Sequence, residues 1–193
     1  MSKERVILGI DPGTNIMGWG IIKIKSSTPA FISMGIIDLR KDTDPYNKLS
    51  KIYKEIRNLV EAYSPDEIAL ESPFCGKNIQ SMHKLGRAQG AAIAASLTND
   101  AQVFEYAPRK IKLSITGKGS ASKEQVAAIV SNILSVKSLP VKLDATDGLA
   151  VALCHYLSSC SVINSNYSGS SNGSKRSKSS WSKFLENNPE RIK

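Results

Sequence analysis

Three strand-like segments within the first 39 residues constrain the fold of this chain more than any other feature. Residues 5–10, 19–25 and 30–39 are rich in β-branched and aliphatic side chains. Pro, Gly, Ser and Thr residues separate the segments, and these residue types mark turns. Because segments joined by short turns pair most simply with their neighbours, the pattern predicts a three-stranded antiparallel meander.

The rest of the chain alternates helix-like and strand-like segments. Apolar residues at helical spacing follow Asp44-Pro45 and continue to Tyr63, which predicts an amphipathic helix. The further predicted elements are a strand at 66–72, a helix at 78–98, a strand at 101–108, a short basic helix, a Gly-rich loop, a helix at 122–136 with a capping box formed by Ser122 and Gln125, and a helix at 144–160. The long elements follow the order β-β-β-α-β-α-β-α-α. This order predicts an α/β fold in which helices pack on a mixed sheet, made of the meander plus further parallel strands.

The charge balance favours a polyanionic partner. Lys and Arg number 26 against 17 Asp and Glu, a net charge of +9. Such an excess points to nucleic acid ahead of a membrane surface, although a soluble protein that is simply basic is the alternative.

The three cysteines form no CxxC pair, which indicates neither a zinc site nor a disulfide framework. Because the first apolar stretch is too short for a signal peptide or a membrane span, we expect a cytoplasmic protein.

The composition changes abruptly near residue 164. Residues 164–193 are rich in Ser, Asn and Gly and carry six basic and two acidic residues, so +4 of the net charge lies there. Such a segment buries too little apolar area to offset its chain entropy. We therefore predict a single domain over 1–163 and a flexible basic tail over 164–193. The tail ends with Trp181, Phe184 and Leu185, either as a docking peptide or as an unstructured terminus.

Four carboxylates stand where predicted elements end or begin. Asp11 follows the first strand, Glu71 follows the fourth, and Asp144 and Asp147 open the last helix on one helical face. Hard divalent cations such as Mg²⁺ need oxygen ligands of this kind. Taken singly, each acid also has a plain explanation, as a turn former, a helix cap, a partner of the helix dipole or a solvated strand end. Their conjunction favours a metal site.

The order of these acids and the sequences around them resemble a known family. Asp, Glu and then Asp-x-x-Asp on the last helix of such a chain resemble the ribonuclease H-like nucleases. Six segments are more specifically similar to the RuvC family of Holliday junction resolvases: "GIDPGT", "ESPFCGKN", "KLGRAQG", "VFEYAPRKIK", "GKGSASKEQV" and "DATDGLAVALCH". The similarity runs in order from about residue 5 to 158, so it covers the whole predicted domain.

The resemblance implies a function for the four acids. It implies a homodimer that binds a four-way DNA junction and nicks two strands symmetrically, using two Mg²⁺ ions per site, for which Mn²⁺ can substitute. Asp11, Glu71, Asp144 and Asp147 match the family's catalytic and metal-binding positions, with Asp11 as the bridge between the ions. Some relatives have His at the position of Asp144. The resemblance also implies work beside a branch-migration motor.

Candidate DNA-binding residues lie between the acids. Phe74 follows Glu71, and an aromatic ring can stack on unpaired bases; the family has an aromatic residue there. Seven basic residues are candidates for contacts to DNA phosphates: Lys77, Lys84, Arg87, Arg109, Lys112, Lys118 and Lys123. Lys112, Lys118 and Lys123 are favoured because the family places basic residues there. Gly117 and Gly119 would let the backbone approach a phosphate.

Two further features have more than one interpretation. Gly86, Gly90 and Ala94 recur every four residues, and such a seam of small residues is either a dimer contact or a site of packing within the subunit. His155 lies two helical turns beyond Asp147, so we predict a packed helix residue rather than a metal ligand.

Two alternatives belong to other functional classes. "GIDPGTN" also resembles the first phosphate motif of actin-like and sugar-kinase ATPases, but this chain is too short for the second lobe that those enzymes require. "TGKGSASK" is not a Walker motif, because Lys112 stands at the position of the leading glycine. The third possibility is a non-catalytic junction-binding protein, against which the retention of all four acids argues.

Overall fold

A five-stranded mixed sheet forms the centre of the protein. The computed structural model describes residues 4–73, 78–136 and 143–167, with side chains described as far as residue 160. The strands are β1 (Arg5–Asp11), β2 (Ile16–Lys25), β3 (Thr28–Asp38), β4 (Glu67–Glu71) and β5 (Gln102–Tyr106), in the spatial order β3-β2-β1-β4-β5. β1, β2 and β3 pair antiparallel, whereas β4 and β5 add parallel strands. The predicted meander with further parallel strands is therefore confirmed.

The start of β2 differs from the prediction. We expected a strand from residue 19, with Gly18 in the preceding turn, but β2 begins at Ile16 and Gly18 pairs with Asp11. Glycine is a turn signal in sequence, but it also occurs in strands where another backbone approaches closely. That second role applies to Gly18, as the contacts of the last helix demonstrate below.

Among the described residues, five helices connect and cover the strands: α1 (Pro45–Tyr63), α2 (Ile79–Ser96), α3 (Pro108–Thr116), α4 (Lys123–Leu134) and α5 (Asp144–Tyr167). Side-chain caps begin three of them. Asp44 and Asn78 accept hydrogen bonds from backbone N–H groups of α1 and α2, and Ser122 and Gln125 form the predicted capping box of α4. None of the described helices is long and apolar enough to cross a membrane.

α5 is longer than predicted. We expected its end near residue 160, but the helix continues to Tyr167, four residues beyond the domain boundary predicted at 163. Contacts within the chain group residues 1–161 into one compact unit and residues 162–193 into another. The flexible tail at 164–193 and the domain boundary remain predictions, because only the end of α5 is described beyond residue 161.

The sheet buries both of its faces. Along β1, Leu8 and Ile10 pack with α1 and α2, whereas Ile7 packs with α4 and α5 on the opposite face. This follows from the alternation of side chains along a strand. Residues 7, 9 and 11 of β1 and residues 67, 69 and 71 of β4 consequently belong to the α5 face. Asp11 and Glu71 therefore end their strands on the face that α5 covers.

Glycines allow α5 to lie directly against the backbone of the sheet. A Cβ atom added at Gly148 would stand 2.4 Å from Trp19 Cα, and one added at Gly9 would stand 2.2 Å from Gly148 O. Gly20 and Gly18 face the same helix, where added Cβ atoms would lie 2.5 Å from Leu149 N and 2.0 Å from Asp144 O. These distances are far below any van der Waals contact. A side chain at any of the four positions would push the helix off the sheet.

We predict that Gly148→Ala destabilises the protein by roughly 1–3 kcal/mol, because the added methyl group overpacks the junction of helix and sheet. Asn58→Ala is the control, since Asn58 is also helical but lies exposed on α1. The control should leave stability unchanged or raise it slightly, because Ala favours helix. Denaturant unfolding of both variants checks this. Equal stability of the two variants would contradict the close approach of α5.

Candidate active site

Four carboxylates converge at one edge of the sheet. β1 and β4 are parallel neighbours, so Asp11 and Glu71, the last residue of each strand, reach the same edge. The first turn of α5 carries Asp144 and Asp147. Gly18 connects the strand acids with the helix acids, because it pairs with Asp11 and lies against the backbone carbonyl of Asp144. The structure thus brings together the four acids that the sequence singled out.

Asp11 is the most perturbed of the acids. The pKa of its carboxyl is raised to about 7, mainly by burial and also by the nearby charges of Glu71, Asp147 and Asp144, whereas Lys123 opposes the shift. Both effects disfavour the ionised form. A nearby cation would strongly stabilise the ionised form of this carboxylate, because it offsets the repulsion from the neighbouring acids.

Glu71 and Asp147 share this environment. Burial and the charge of Asp147 raise the pKa of Glu71 above its ordinary value, while Lys123 and Lys112 oppose the shift. Burial also raises the pKa of Asp147, although its hydrogen bond with Lys123 acts in the other direction. The cluster is therefore a place of concentrated negative charge that two lysines offset only in part.

Lys123 is the cation closest to the acids. Its ammonium donates to Asp147 Oδ2 at 2.7 Å and lies 3.9 Å from Asp144 Oδ1. Burial is the largest single effect and lowers the pKa of Lys123, but the hydrogen bond with Asp147 and the charges of the surrounding acids together raise it overall. Lys123 is the first residue of α4, and the positive end of a helix dipole disfavours a cation there. The acids, rather than α4, thus stabilise the lysine in this position.

Two small cavities meet at Glu71. One, of about 150 Å³, is lined by Asp11 and Glu71 together with Leu85 and Gln89 of α2. The other, of about 190 Å³, is lined by Glu71 and Asp147 together with Lys112 of α3 and Lys123. The acids therefore border open space on both sides, with lysines on the side of α3 and α4. A phosphate group entering there would meet both signs of charge.

The donor set fits a hard divalent cation in its chemistry. Three of the four carboxylates have raised pKa values, and oxygen ligands of this type suit Mg²⁺ and Mn²⁺. As positioned, however, no three His, Cys, Asp or Glu side chains of the described residues form a group that could hold a metal ion. The ammonium of Lys123 lies between the two acids of α5 instead.

The predicted DNA-binding residues fall into separate groups. Lys112 and Lys123 lie beside the acids, and Lys84 and Arg87 line a different cavity next to α1. Arg109 and Lys118 are exposed near the α3–α4 loop, where the side chain of Arg109 lies over Gly119. Phe74 and Lys77 lie outside the described residues. The structure therefore brings two of the eight candidates to the acids.

A polar network beneath the site was not anticipated from the sequence. His155 of α5 is buried against β4 and β5, with Nδ1 2.7 Å from the hydroxyl of Tyr106 and Nε2 3.0 Å from Glu67 Oε2. Glu67 in turn accepts from Arg5. Burial lowers the pKa of His155, although Glu67 opposes the shift. His155 is thus a packed helix residue, as predicted, and it ties α5 to β4 and β5. No local pattern reveals such a network, because its members lie far apart in sequence.

The sequence also gave no reason to single out two basic residues near the edge. Lys48 of α1 donates to Thr14 O at 3.0 Å, which ties the helix to the β1–β2 turn. Arg40 follows β3 and pairs with Asp38, with Asp144 nearby. Both lie in parts of the chain without other candidate residues, and only the folded chain brings them to this edge.

The sheet order and the acids at its edge define a ribonuclease H-like α/β protein, and comparison with known proteins narrows the class. Residues 7–155 match the family model described as crossover junction endodeoxyribonuclease RuvC. The chain is 52% identical to the protein of that name from Cytophaga hutchinsonii, over 98% of this chain and 89% of the relative. It is 50% identical to the Bacteroides fragilis protein of the same name, over 99% and 97% of the two chains.

Solved structures agree. The Thermus thermophilus RuvC structure superposes with a TM-score of 0.73 at 26% identity, covering 81% of this chain and 96% of that one. T. thermophilus RuvC in complex with a Holliday junction substrate superposes with a TM-score of 0.74, also at 26% identity, over 80% and 94% of the chains. The chain belongs to the RuvC family of crossover junction endodeoxyribonucleases. The resemblance inferred from the sequence and the ribonuclease H-like fold are thereby confirmed.

We predict that Asp11→Asn stabilises the metal-free protein at alkaline pH. Asp11 titrates near pH 3.8 when unfolded but near 7 when folded, so its ionisation costs folding free energy that grows from about pH 4 and is complete above pH 7. The amide removes this cost. The unfolding free energy of Asp11→Asn should exceed that of the wild type by roughly 1–3 kcal/mol at pH 8, with little difference at pH 4.

Denaturant unfolding at both pH values, in buffer with a chelator, measures this difference. Asp100→Asn is the matched control, because Asp100 is exposed and lies outside the acid cluster. The control should match the wild type at both pH values. An Asp11→Asn variant less stable than the wild type at pH 8 would contradict the electrostatic cost assigned to Asp11.

Proposed function

We infer that this chain is a structure-selective endonuclease that resolves four-way DNA junctions by phosphodiester hydrolysis in recombination and repair. Its relatives carry the name crossover junction endodeoxyribonuclease, and one of the similar structures is a complex with a Holliday junction substrate. The observation that carries the inference furthest is the convergence of Asp11, Glu71, Asp144 and Asp147 at one edge of a chain of this family.

The four acids are proposed as the catalytic set and as the ligands of two Mg²⁺ ions, for which Mn²⁺ can substitute. The burial of Asp11 among the other acids supports its role as one of the ligands that would hold the metal. When bound, a pair of such ions supplies an activated water and charge stabilisation of the leaving oxygen. Glu71 of β4 and Asp144 and Asp147 of α5 complete the set.

Lys112 and Lys123 are proposed to hold the scissile phosphate. Both line the cavity that contains Glu71 and Asp147, and their charges oppose the raised pKa of these acids. Lys123 would release Asp147 when the acids bind metal, and its ammonium would then be free to contact a phosphate oxygen. Lysine suits this role, because its ammonium group is a flexible point charge.

The remaining candidates are proposed to contact DNA around this centre. Lys84, Arg87, Arg109 and Lys118 are exposed cations suited to backbone phosphates. Phe74 and Lys77 are proposed, on the family resemblance alone, to act at the junction itself. The basic tail at 164–193 carries +4 and is proposed to add non-specific attraction to DNA.

The two alternative functions are not supported. An ATPase and a non-catalytic junction-binding protein both conflict with membership of an endonuclease family over residues 7–155. The Asp-Pro-Gly-Thr segment that suggested an ATPase instead ends β1 and carries Asp11 into the acid cluster.

A homodimer is proposed because a two-fold protein matches a junction with two-fold symmetry. Gly86, Gly90 and Ala94 are exposed on α2, and Gly86 and Gly90 have no neighbouring atom within 4 Å of an added Cβ. Ile79 and Leu97 are 68% and 61% exposed and share this helical face. The face supports close self-packing of α2. A branch-migration motor as partner and a cytoplasmic location are further proposals that rest on the family.

We predict that the wild type with Mg²⁺ cuts a synthetic four-way junction by paired symmetric nicks and that Asp11→Asn lowers the rate by a factor of roughly 10² or more, because a preorganised charge at the reacting phosphate is lost. Denaturing gels of junctions labelled on each strand measure the nicks. Asp11→Asn should still bind the junction. A chelator should abolish cutting, and Mn²⁺ should restore it.

Asp100→Asn is again the control, with a wild-type rate expected. Equal cutting by Asp11→Asn and the wild type would remove Asp11 from the mechanism. Junction binding by the wild type without cutting in either metal would favour the non-catalytic protein, and ATP hydrolysis without cutting would favour the ATPase.

We predict that Gly90→Gln weakens self-association at least tenfold, because a long side chain prevents close approach of two α2 helices. Lys54→Gln is the control, since Lys54 is exposed on α1 and away from this face. Sedimentation over a concentration series measures the dissociation constant. A wild type that sediments as a monomer at all concentrations, or an unaffected Gly90→Gln dimer, would contradict the proposed contact.

A further inference from the structure

Gln89 of α2 is buried beside the acids without a hydrogen-bond partner. It is 6% exposed, and its side-chain amide forms no hydrogen bond within the described part of the chain. The other polar residues that are comparably buried there, Ser96, Thr146 and His155, all form side-chain hydrogen bonds. Because burying an unpaired amide costs free energy, a group of this kind indicates a partner from outside the chain.

The side chain of Gln89 borders the cavity that also contains Asp11 and Glu71. Apolar residues such as Pro12 and Leu85 form part of the wall of this cavity, which has a volume of about 150 Å³. That volume holds several water molecules but is too small for a nucleotide. The partner of the amide is therefore a small molecule rather than a base.

The two cavities that meet at Glu71 differ in charge. The cavity that Gln89 borders contains two carboxylates, and none of its lining residues among those described is a Lys, Arg or His. The other cavity contains Lys112 and Lys123. A phosphate is attracted to the lysines and repelled by the carboxylates, whereas water donates readily to a carboxylate. The two cavities thus suit the two reactants of a hydrolysis, with water on the side of Gln89.

We propose that Gln89 positions the attacking water of phosphodiester hydrolysis. This proposal rests on the proposed function and adds to its site a residue outside the four acids. The amide of Gln89 has both donors and an acceptor. A water that donates one proton to a carboxylate of the cavity and the other to the amide oxygen keeps its lone pairs free for phosphorus. Burial holds the amide in place, so the water is oriented before the phosphate arrives.

The amide acts on orientation alone, because it neither gains nor loses a proton near neutral pH. In the hydrolysis, the water oxygen bonds to phosphorus while the bond from phosphorus to the leaving 3′ oxygen breaks. The water loses one proton to solvent and the 3′ oxygen gains one, so each nick consumes one water molecule. Orientation affects the rate strongly, since small displacements of reacting atoms are costly.

The test uses two substitutions of Gln89 in the full chain. Gln89→Met replaces the amide with an apolar side chain of similar length, and Gln89→Asn retains the amide on a shorter side chain. Gln80→Met is the matched control, because Gln80 lies on the same helix but is exposed. Cutting of a four-way junction is measured in single turnover at saturating protein with Mg²⁺. Junction binding and denaturant unfolding are measured in a chelator.

We expect Gln89→Met to cut roughly ten- to a hundredfold more slowly than the wild type, with an unchanged dissociation constant for the junction. Its stability should equal or exceed that of the wild type, since the substitution removes an unpaired buried amide. Gln89→Asn should cut faster than Gln89→Met, and the control should match the wild type throughout. Wild-type cutting by Gln89→Met would overturn the proposal. A Gln89→Met variant that is less stable than the control would overturn it as well, in favour of a structural role.

Competition between nucleophiles gives a readout that a structural role would not change. In the presence of glycerol, the scissile phosphate reacts either with water, which gives a 5′ phosphate, or with a glycerol hydroxyl, which gives a glycerol ester. Mass spectrometry of the cut strands measures the ratio of ester to phosphate. For Gln89→Met this ratio should rise by about the factor by which cutting slows, because only the water has lost its position. An unchanged ratio would overturn the proposal.

Failure of the proposed function gives a different result. A wild type that does not cut the junction would contradict the endonuclease itself. A wild type that cuts no faster than Gln89→Met would contradict only the role of Gln89.

Discussion

The direct contact of α5 with the backbones of β1 and β2 is the constraint on which the rest of the structure depends. Gly9, Gly18 and Gly20 on the strands and Gly148 on the helix have no side chains at the points where the backbones approach. The helix therefore begins immediately beside the end of β1. Because Asp144 and Asp147 occupy its first turn, the same contact brings them to Asp11. Further along α5, the bonds of His155 to Tyr106 and Glu67 tie the helix to β5 and β4.

This close packing concentrates negative charge, and the protein is less stable for it. Burial and mutual repulsion raise the pKa values of Asp11, Glu71 and Asp147. Lys123 offsets part of the repulsion from an unfavourable position at the start of α4. Electrostatic repulsion of this kind is typical of sites that bind charged ligands. A carboxylate that is destabilised in the free protein is stabilised most when an oppositely charged ligand binds. The three carboxylates with raised pKa values are thus the groups that would gain most from a bound cation.

Most elements were predictable because their signals are local. The capping box of α4, the apolar series of α1 and the turn residues between strands depend on neighbours within a few positions. Gly18 was wrongly predicted as a turn residue. In sequence, a glycine gives the same signal whether the chain turns there or a helix packs closely against a strand. The end of α5 at Tyr167 was missed because Ser and Asn weaken the helical pattern without a Pro or Gly to end it.

The sequence by itself determined the strand and helix order, the family and the identity of the four acids, since each depends on residue types in a linear order. Only the tertiary structure determined which charged side chains lie close together. It placed Lys112 and Lys123 beside the acids, but Lys84 and Arg87 with Lys48 around a separate cleft. Linear spacing does not distinguish these groups, because α2, α3 and α4 reach the sheet edge from different faces. Electrostatic coupling falls with distance in space, and only the packed helices define that distance.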